Sequence, residues 1–156
     1  MKKLNKVTGD LIEMAKNGDF DVIVHGCNCF NTMGAGIALQ IKNKLPGAAL
    51  VDSETVRGDS SKLGNMTVSV HTSDFNTKYW VINAYTQFFP GPNFDIEALK
   101  SVVKQIKMNF PECRIGFPLI GCGIGGGHWP EVRRVLRRLH EGQKGIDVTI
   151  VQYNVS

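Results

Sequence analysis

The sequence predicts an α/β fold, a three-layer α/β/α sandwich around a mixed, mostly parallel sheet of about six strands, the architecture that strand and helix alternation produces. Three features carry this expectation. Short apolar runs such as Val22, Ile23 and Val24 are bounded directly by turn-type residues, as in strands buried on both faces. Segments of helical apolar spacing alternate with those runs, which places helices on both sides of a sheet. Glycine makes up 17 of 156 residues, against a usual share of about 7%, and the excess gathers at Gly34 and Gly36 and again between Gly121 and Gly127.

The elements follow in order. Asp10 suits the N-cap of a helix starting at Leu11, because its carboxylate can accept from the unpaired N–H groups of a first turn. Residues 21–24 form the first buried strand, and His25, Gly26, Cys27 and Asn28 read as the turn after it. From Gly36 the apolar positions Ile37, Ala38, Ile41 and Leu45 recur at helical spacing. Pro46 is the expected stop, since a residue before proline is pushed out of the helical region. Met66, Val68 and Val70 alternate with Thr67, Ser69 and His71, the period of a strand with one wetter face. Residues 79–82 form a strand able to pair with it across the polar turn at 73–78. Asp95 reads as an N-cap, followed by the apolar stripe Ile96, Leu99, Val103, Ile106 and Phe110 up to Pro111. Residues 115–117 are a short strand leading into the second glycine loop. Pro130 starts the last helix, Val132, Val135, Leu136 and Leu139 share its apolar face, and Gly142 lies past its end. Residues 148–153 close the chain as a buried strand. No repeat, low-complexity tract or linker interrupts this order, so residues 1–156 are expected to form one domain.

Composition narrows the function classes. With 42% hydrophobic and 21% charged residues, the chain is globular in character, and its longest apolar runs fall far short of the roughly 20 residues that span a bilayer. No membrane partner is expected. Lys2, Lys3 and Lys6 are basic, but Asn5, Thr8, Gly9 and Asp10 interrupt any apolar signal core, so no secretory leader is expected. The four cysteines, Cys27, Cys29, Cys113 and Cys122, are too sparse for a disulfide scaffold and fit reduced thiols in a cytoplasmic protein. The net charge of +4 is compatible with a small phosphate-bearing ligand and does not by itself call for nucleic acid. The protein is expected to be a monomer.

Both glycine loops fall where a strand hands over to a helix, the place where open α/β sheets bind ligands. In the first, Gly34, Ala35 and Gly36 precede Ile37 and Ala38 at a helix start, where unpaired N–H groups and the positive end of the helix dipole attract anions. In the second, Gly121, Cys122, Gly123, Ile124, Gly125 and Gly126 can form a backbone nest across the same crevice. Two facing nests suit a diphosphate. The pattern lacks the spacing of a dinucleotide fingerprint and the Gly-Lys-Ser/Thr of a P-loop. His25, Cys27 and Cys29 lack the gap and second pair of a zinc site, so neither metal nor cofactor is expected.

Val24-His-Gly-Cys-Asn-Cys, Met33-Gly-Ala-Gly-Ile-Ala, Gly9-Asp10-Leu11 and Pro118-Leu-Ile-Gly-Cys-Gly-Ile-Gly-Gly together resemble the macrodomains, modules that bind ADP-ribose, over nearly the whole chain. The resemblance implies that Asp10, with Leu11 beside it, contacts adenine, that residues 34–38 bind the diphosphate, and that Asn28 holds the distal ribose. It also implies that residues 121–126 close over the diphosphate and distal ribose, with Tyr153 or Phe88 lining the adenine pocket. Bland roles stand beside these: Asp10 as a helix cap, Asn28 as a turn residue, Cys27 and Cys122 as packing.

His25 stands where many macrodomains carry asparagine, and this segment is similar to the branch that dephosphorylates ADP-ribose 1''-phosphate. A histidine there could serve as general acid or nucleophile, its ordinary pKa of about 6.5 permitting either near neutrality; a hydrogen-bonded core histidine is the alternative. His128 is a second candidate. Branches that cleave ADP-ribose from protein or DNA through a lysine carry it just after the strand at 79–82, where this chain reads Asn83-Ala-Tyr-Thr-Gln, and the acidic residue one of them places in the second loop falls on Gly125. Arg133, Arg134, Arg137 and Arg138 are either a solvated helix face or a contact for a nucleic-acid substrate. The expected activity is therefore hydrolysis of ADP-ribose 1''-phosphate, with His25 and Asn28 as catalytic residues. The alternatives are a glycohydrolase acting on ADP-ribosylated protein or nucleic acid, and a non-catalytic reader of ADP-ribose.

Overall fold

The computed structural model describes residues 4–141 and 145–153. Its elements are β1 Asn5–Thr8, α1 Leu11–Lys16, β2 Val22–Asn28, α2 Gly36–Lys44, α3 Pro46–Ser53, β3 Met66–Thr72, β4 Lys78–Gln87, α4 Ile96–Asn109, β5 Arg114–Phe117, α5 Trp129–Leu136 and β6 Asp147–Gln152. The six strands form one sheet in the order β1-β6-β5-β2-β4-β3. All neighbouring pairs are parallel except β3 with β4. The expected α/β architecture, with a mixed and mostly parallel sheet, is what the chain adopts.

Two apolar cores flank the sheet. On one face Val22 and Val24 of β2 and Ile82 and Ala84 of β4 pack with Leu99, Val102, Val103 and Ile106 of α4 and Val132, Val135 and Leu136 of α5. On the other, Ile23 and Cys27 of β2 and Tyr79, Val81 and Tyr85 of β4 pack with α1, α2 and α3. The alternation along each strand sorts these side chains, because successive residues point to opposite faces. The central strands thus read as apolar runs because both faces are covered.

Caps set the helix starts. Asp10 Oδ1 accepts from the N–H groups of Ile12 and Glu13, at 3.0 and 3.1 Å, and Asp95 Oδ1 from those of Glu97 and Ala98, at 2.9 and 3.1 Å. Each such cap stabilises its helix by about 1 kcal/mol. Gly116 of β5 is required by close approach, since a Cβ there would stand 2.7 Å from Leu11 Cδ1 and 2.8 Å from Phe20 Cε2.

Several boundaries differ from expectation. The strand expected over 21–24 continues through His25 to Asn28, and that expected over 79–82 continues to Gln87, because the polar residues in these stretches pair with one another across the sheet. Pro46 stops α2 and also opens α3 at its first position, where its missing N–H costs nothing. β1 carries no apolar pattern, all four of its residues being exposed, and exists through its ladder with β6. The last α-helix ends at Leu136 and tightens into a 3₁₀ turn, Arg137–His140. Gly142, read as the residue past it, lies outside the described residues, as do Lys2 and Lys3. Among the described residues no helix is long and apolar enough to cross a membrane.

Candidate functional site

A cleft of about 540 Å³ opens at the carboxyl ends of β2, β4 and β5, where an open α/β sheet presents its ligand site. The end of β2 contributes Gly26, Cys27 and Asn28, the loop after it Thr32 to Ala35, and the first turn of α2 Gly36, Ile37 and Ala38. β4 and the turn beyond it supply Thr86, Gln87, Pro90 and Gly91, and the segment after β5 supplies residues 118–121 and 123–125.

The two glycine loops face each other across this space. Gly36 has φ +58°, a left-handed conformation that a side chain disfavours, and a Cβ there would meet Ile124 Cδ1 at 4.0 Å from the opposite loop. Ala35 caps α2 with no side-chain hydrogen bond, so the N–H groups of the first turn remain available to an anion. Among the described residues, the N–H groups of Gly36, Ile37 and Ala38 on one side and of Gly123, Ile124 and Gly125 on the other donate to no protein group. The second loop is held by its own backbone: Gly127 N–H donates to Gly121 O at 2.7 Å and Phe94 N–H to Gly125 O at 3.0 Å. Gly121, at φ +73°, leaves no room for a Cβ, which would run into the Phe94 ring.

Asn28 lies between the loops and shapes the first of them. Its Oδ1 accepts from Phe30 N–H at 2.8 Å and its Nδ2 donates to Thr32 Oγ1 at 2.7 Å. One amide hydrogen and one oxygen lone pair remain for a ligand. The turn beyond it holds Asn31 and Met33 at φ +58° and +41°. A buried brace sustains that strain: Lys62 Nζ donates to Asn31 Oδ1 at 2.5 Å and to Thr55 Oγ1 at 3.0 Å, while Asn31 Nδ2 donates to Thr55 O at 2.9 Å. Tyr85 OH, beside Lys62, donates to the buried Asp52 carboxylate at 2.7 Å.

His25 is not in the cleft, a correction to the expectation drawn from its position in the sequence. It sits three residues before the end of β2, on the face turned away from α4 and α5, and is fully buried. Its Nε2–H donates to Asn83 Oδ1 at 2.5 Å, an orientation fixed because Asn83 Nδ2 donates to Ala48 O and Thr67 Oγ1. Burial pushes its pKa down to about 4, so the ring is neutral at pH 7. It is not among the residues that line the cleft, whereas the Cys27 it touches is.

Of the other expected site residues, Asn28, Gly34, Ala35, Gly36, Ile37, Ala38, Gly121, Gly123, Ile124 and Gly125 line the cleft. Asp10, Leu11, Cys122, Gly126 and Tyr153 do not. Asp10 caps α1, Leu11 is buried against Gly116, and Cys122 packs on the core with its thiol pKa raised by burial. Gly126 rests on Pro92, Tyr153 is exposed beyond β6, and His128 is the exposed N-cap of α5. Thr86 and Gln87 were missed as lining residues, because an alternating apolar pattern says nothing about where a strand outruns its core. Among the described residues, no Lys, Arg, His, Asp or Glu lines the cleft. The one ionisable side chain there, among the described residues, is the Cys27 thiol, raised well above its ordinary pKa by burial and then by the Asp52 carboxylate. Among the described residues no three His, Cys, Asp or Glu are grouped to hold a metal ion.

A family model, Macro domain, matches residues 24–136. A 17.5 kDa protein from the tk-vs intergenic region of Enterobacteria phage T4 is 39% identical over 137 residues, covering 83% of this chain and 85% of its own. A DNA ADP-ribosyl glycohydrolase of Thermus aquaticus is 24% identical over 96% of this chain, which spans 41% of that protein's length. An ADP-ribose 1''-phosphate phosphatase of Lodderomyces elongisporus is 29% identical over 85% of this chain and 90% of its own. Among solved structures, the macrodomain of Mycobacterium tuberculosis DarG superposes with a TM-score of 0.74 at 25% identity, covering 100% of both chains. The macrodomain of Thermus aquaticus DarG gives 0.73 at 23% identity, covering 97% and 98%.

Proposed function

The chain belongs to the Macro domain family, and on that premise we propose that its cleft binds ADP-ribose and hydrolyses ADP-ribose 1''-phosphate to ADP-ribose and phosphate. The observation that carries this reading is the cleft itself, two facing sets of backbone N–H groups that, among the described residues, have no partner and no ionisable side chain between them except a buried thiol. Six such N–H donors suit a diphosphate, since helix N-termini and backbone nests bind anions. The loop at residues 34–38 and that at 121–126 grip the diphosphate, and Asn28 positions the distal ribose with its remaining donor and acceptor.

The same polar but uncharged lining bears on the reaction. Cleavage of a glycosidic bond through a lysine or a carboxylate requires that group in the cleft, and among the described residues none lines it. A phosphate monoester brings its own proton. In the monoanion, the hydroxyl hydrogen of the phosphate passes to the bridging O1'' as the P–O1'' bond breaks, water adds to phosphorus, and ADP-ribose and dihydrogen phosphate leave. Catalysis of so loose a transition state rests on positioning and on donors aimed at the non-bridging oxygens, which backbone N–H groups supply. His25 takes no part, so the general-acid role expected of it is replaced by the substrate's own proton.

A second reading has a specific observation behind it. Arg133, Arg134, Arg137 and Arg138 are exposed on α5 and the turn after it, directly beyond the second loop, and would meet the phosphates of an ADP-ribosylated DNA strand. Parallel incubation with ADP-ribose 1''-phosphate and with ADP-ribosylated DNA separates the two. Inorganic phosphate from the first, with no free ADP-ribose from the second, is the expected result. The reverse pattern establishes the glycohydrolase, and release from neither leaves a binding module.

A further inference from the structure

Thr86 is only 1% exposed, yet its Oγ1 is one of the few buried polar side-chain atoms with no hydrogen-bond partner among the described residues. Buried hydroxyls are nearly always satisfied, because an unmade bond forfeits hydration with nothing in return. Valine has the same branched shape and an equal liking for strands, so packing alone gives no reason for the hydroxyl.

A second observation, independent of the first, concerns the backbone. Along the parallel pairing of β2 with β4, Cys27 faces Tyr85 but Asn28 faces Gln87, leaving Thr86 as the extra residue of a bulge. Bulges gather beside functional sites, where they re-aim a side chain. This one puts Thr86 on the cleft floor with Gly26 and Ile120. A Cβ on Gly26 would stand 2.9 Å from Thr86 Oγ1 and 3.5 Å from Ile120 Cγ1, so the glycine leaves the hydroxyl its space. Asp95 N–H donates to Thr86 O at 2.7 Å, anchoring the bulged residue to the start of α4.

We infer that Thr86 Oγ1 hydrogen-bonds the distal ribose of the bound ligand and is a specificity-determining contact for it. The inference rests on the proposed binding of ADP-ribose and assigns the distal end of the same cleft. Thr86 and Asn28 belong to adjacent strands and bracket the floor between the loops, so a sugar hydroxyl held by Asn28 brings a donor and acceptor within the reach of Thr86. The ligand then completes the bond that the free protein lacks.

Titration calorimetry of the parent, Thr86→Val and Thr86→Ser with ADP-ribose and with ADP, which has no distal ribose, tests this, together with melting temperatures without ligand. Thr86→Val is expected to bind ADP-ribose about tenfold more weakly, as for one lost ligand hydrogen bond, to bind ADP as the parent does, and to melt no lower than the parent. Thr86→Ser is expected to retain the preference for ADP-ribose. Unchanged ADP-ribose affinity in Thr86→Val overturns the inference and assigns the hydroxyl to a buried water. Equal weakening toward both ligands, or a serine variant that behaves like valine, overturns it in favour of packing. If the parent itself binds ADP-ribose no better than ADP, the proposed function falls and takes the inference with it, whereas a discriminating parent with an unaltered valine variant sinks the inference alone.

Discussion

The imidazole of His25 stays neutral because full burial disfavours its charged form, and its ring meets the neutral Asn83 amide and the Cys27 thiol, whose Sγ is 3.7 and 3.8 Å from the ring nitrogens. Its pKa falls from 6.5 to about 4, so in that interval the unfolded chain holds a proton that the native chain does not. Stability is therefore fully present above pH 6.5 and is lost as the pH falls toward 4, this residue alone accounting for about 3 kcal/mol at the lower end. His25→Gln keeps a donor for Asn83 and removes the titration, so its urea midpoint is expected to vary less across that window than the parent's. Two parallel stability curves would show that His25 is protonated in the native state. The same burial separates the imidazole from the cleft: the lining begins at Gly26, the next residue along β2, and Cys27, on the same face as His25, stands with its Sγ 3.7 Å from Nε2 and lines the cleft in its place.

At the scale of elements, the first turn of α2 is the contact proposed for the diphosphate, because no described residue satisfies its N–H groups. The missing side-chain cap and the left-handed Gly36 leave this turn open on the side that faces Ile124, whose Cδ1 would stand 4.0 Å from a Cβ on the glycine. Gly36→Val places a branched side chain in that gap and strains the backbone, at a cost of about 1 to 2 kcal/mol. Its circular dichroism is expected to match the parent's, while calorimetric heat on adding ADP-ribose is abolished. A folded variant with unchanged affinity would take the diphosphate away from this loop. On the other side of the turn, the brace of Lys62, Asn31 and Thr55 holds the backbone that presents Asn28, so the strained segment is over-determined, as strained functional loops must be.

For the whole molecule, ligand and stability are linked, since only the native state brings the loops after β2 and β5 together. At a ligand concentration a hundred times Kd the native state gains about 2.7 kcal/mol, which for a domain of this size raises Tm by roughly 5 to 10 °C. ADP-ribose is expected to produce such a rise in scanning calorimetry, and ribose 5-phosphate none. An unshifted melt at saturating ADP-ribose would contradict the binding assignment as a whole.

Apolar periodicity, proline and glycine placement and the two caps at Asp10 and Asp95 were sufficient to determine the layer architecture, most elements and the two loops that build the cleft. These are local signals, written within one turn or one strand. α3 went unread because a proline that stops one helix can begin the next, and β1 because an exposed edge strand carries no apolar code. The face of the sheet on which His25 lies, the bulge at Thr86, and the brace beneath Asn28 were decided by tertiary structure alone. Each depends on where a strand ends relative to its neighbour, and a shift of one residue in that register exchanges a buried side chain for one on the cleft.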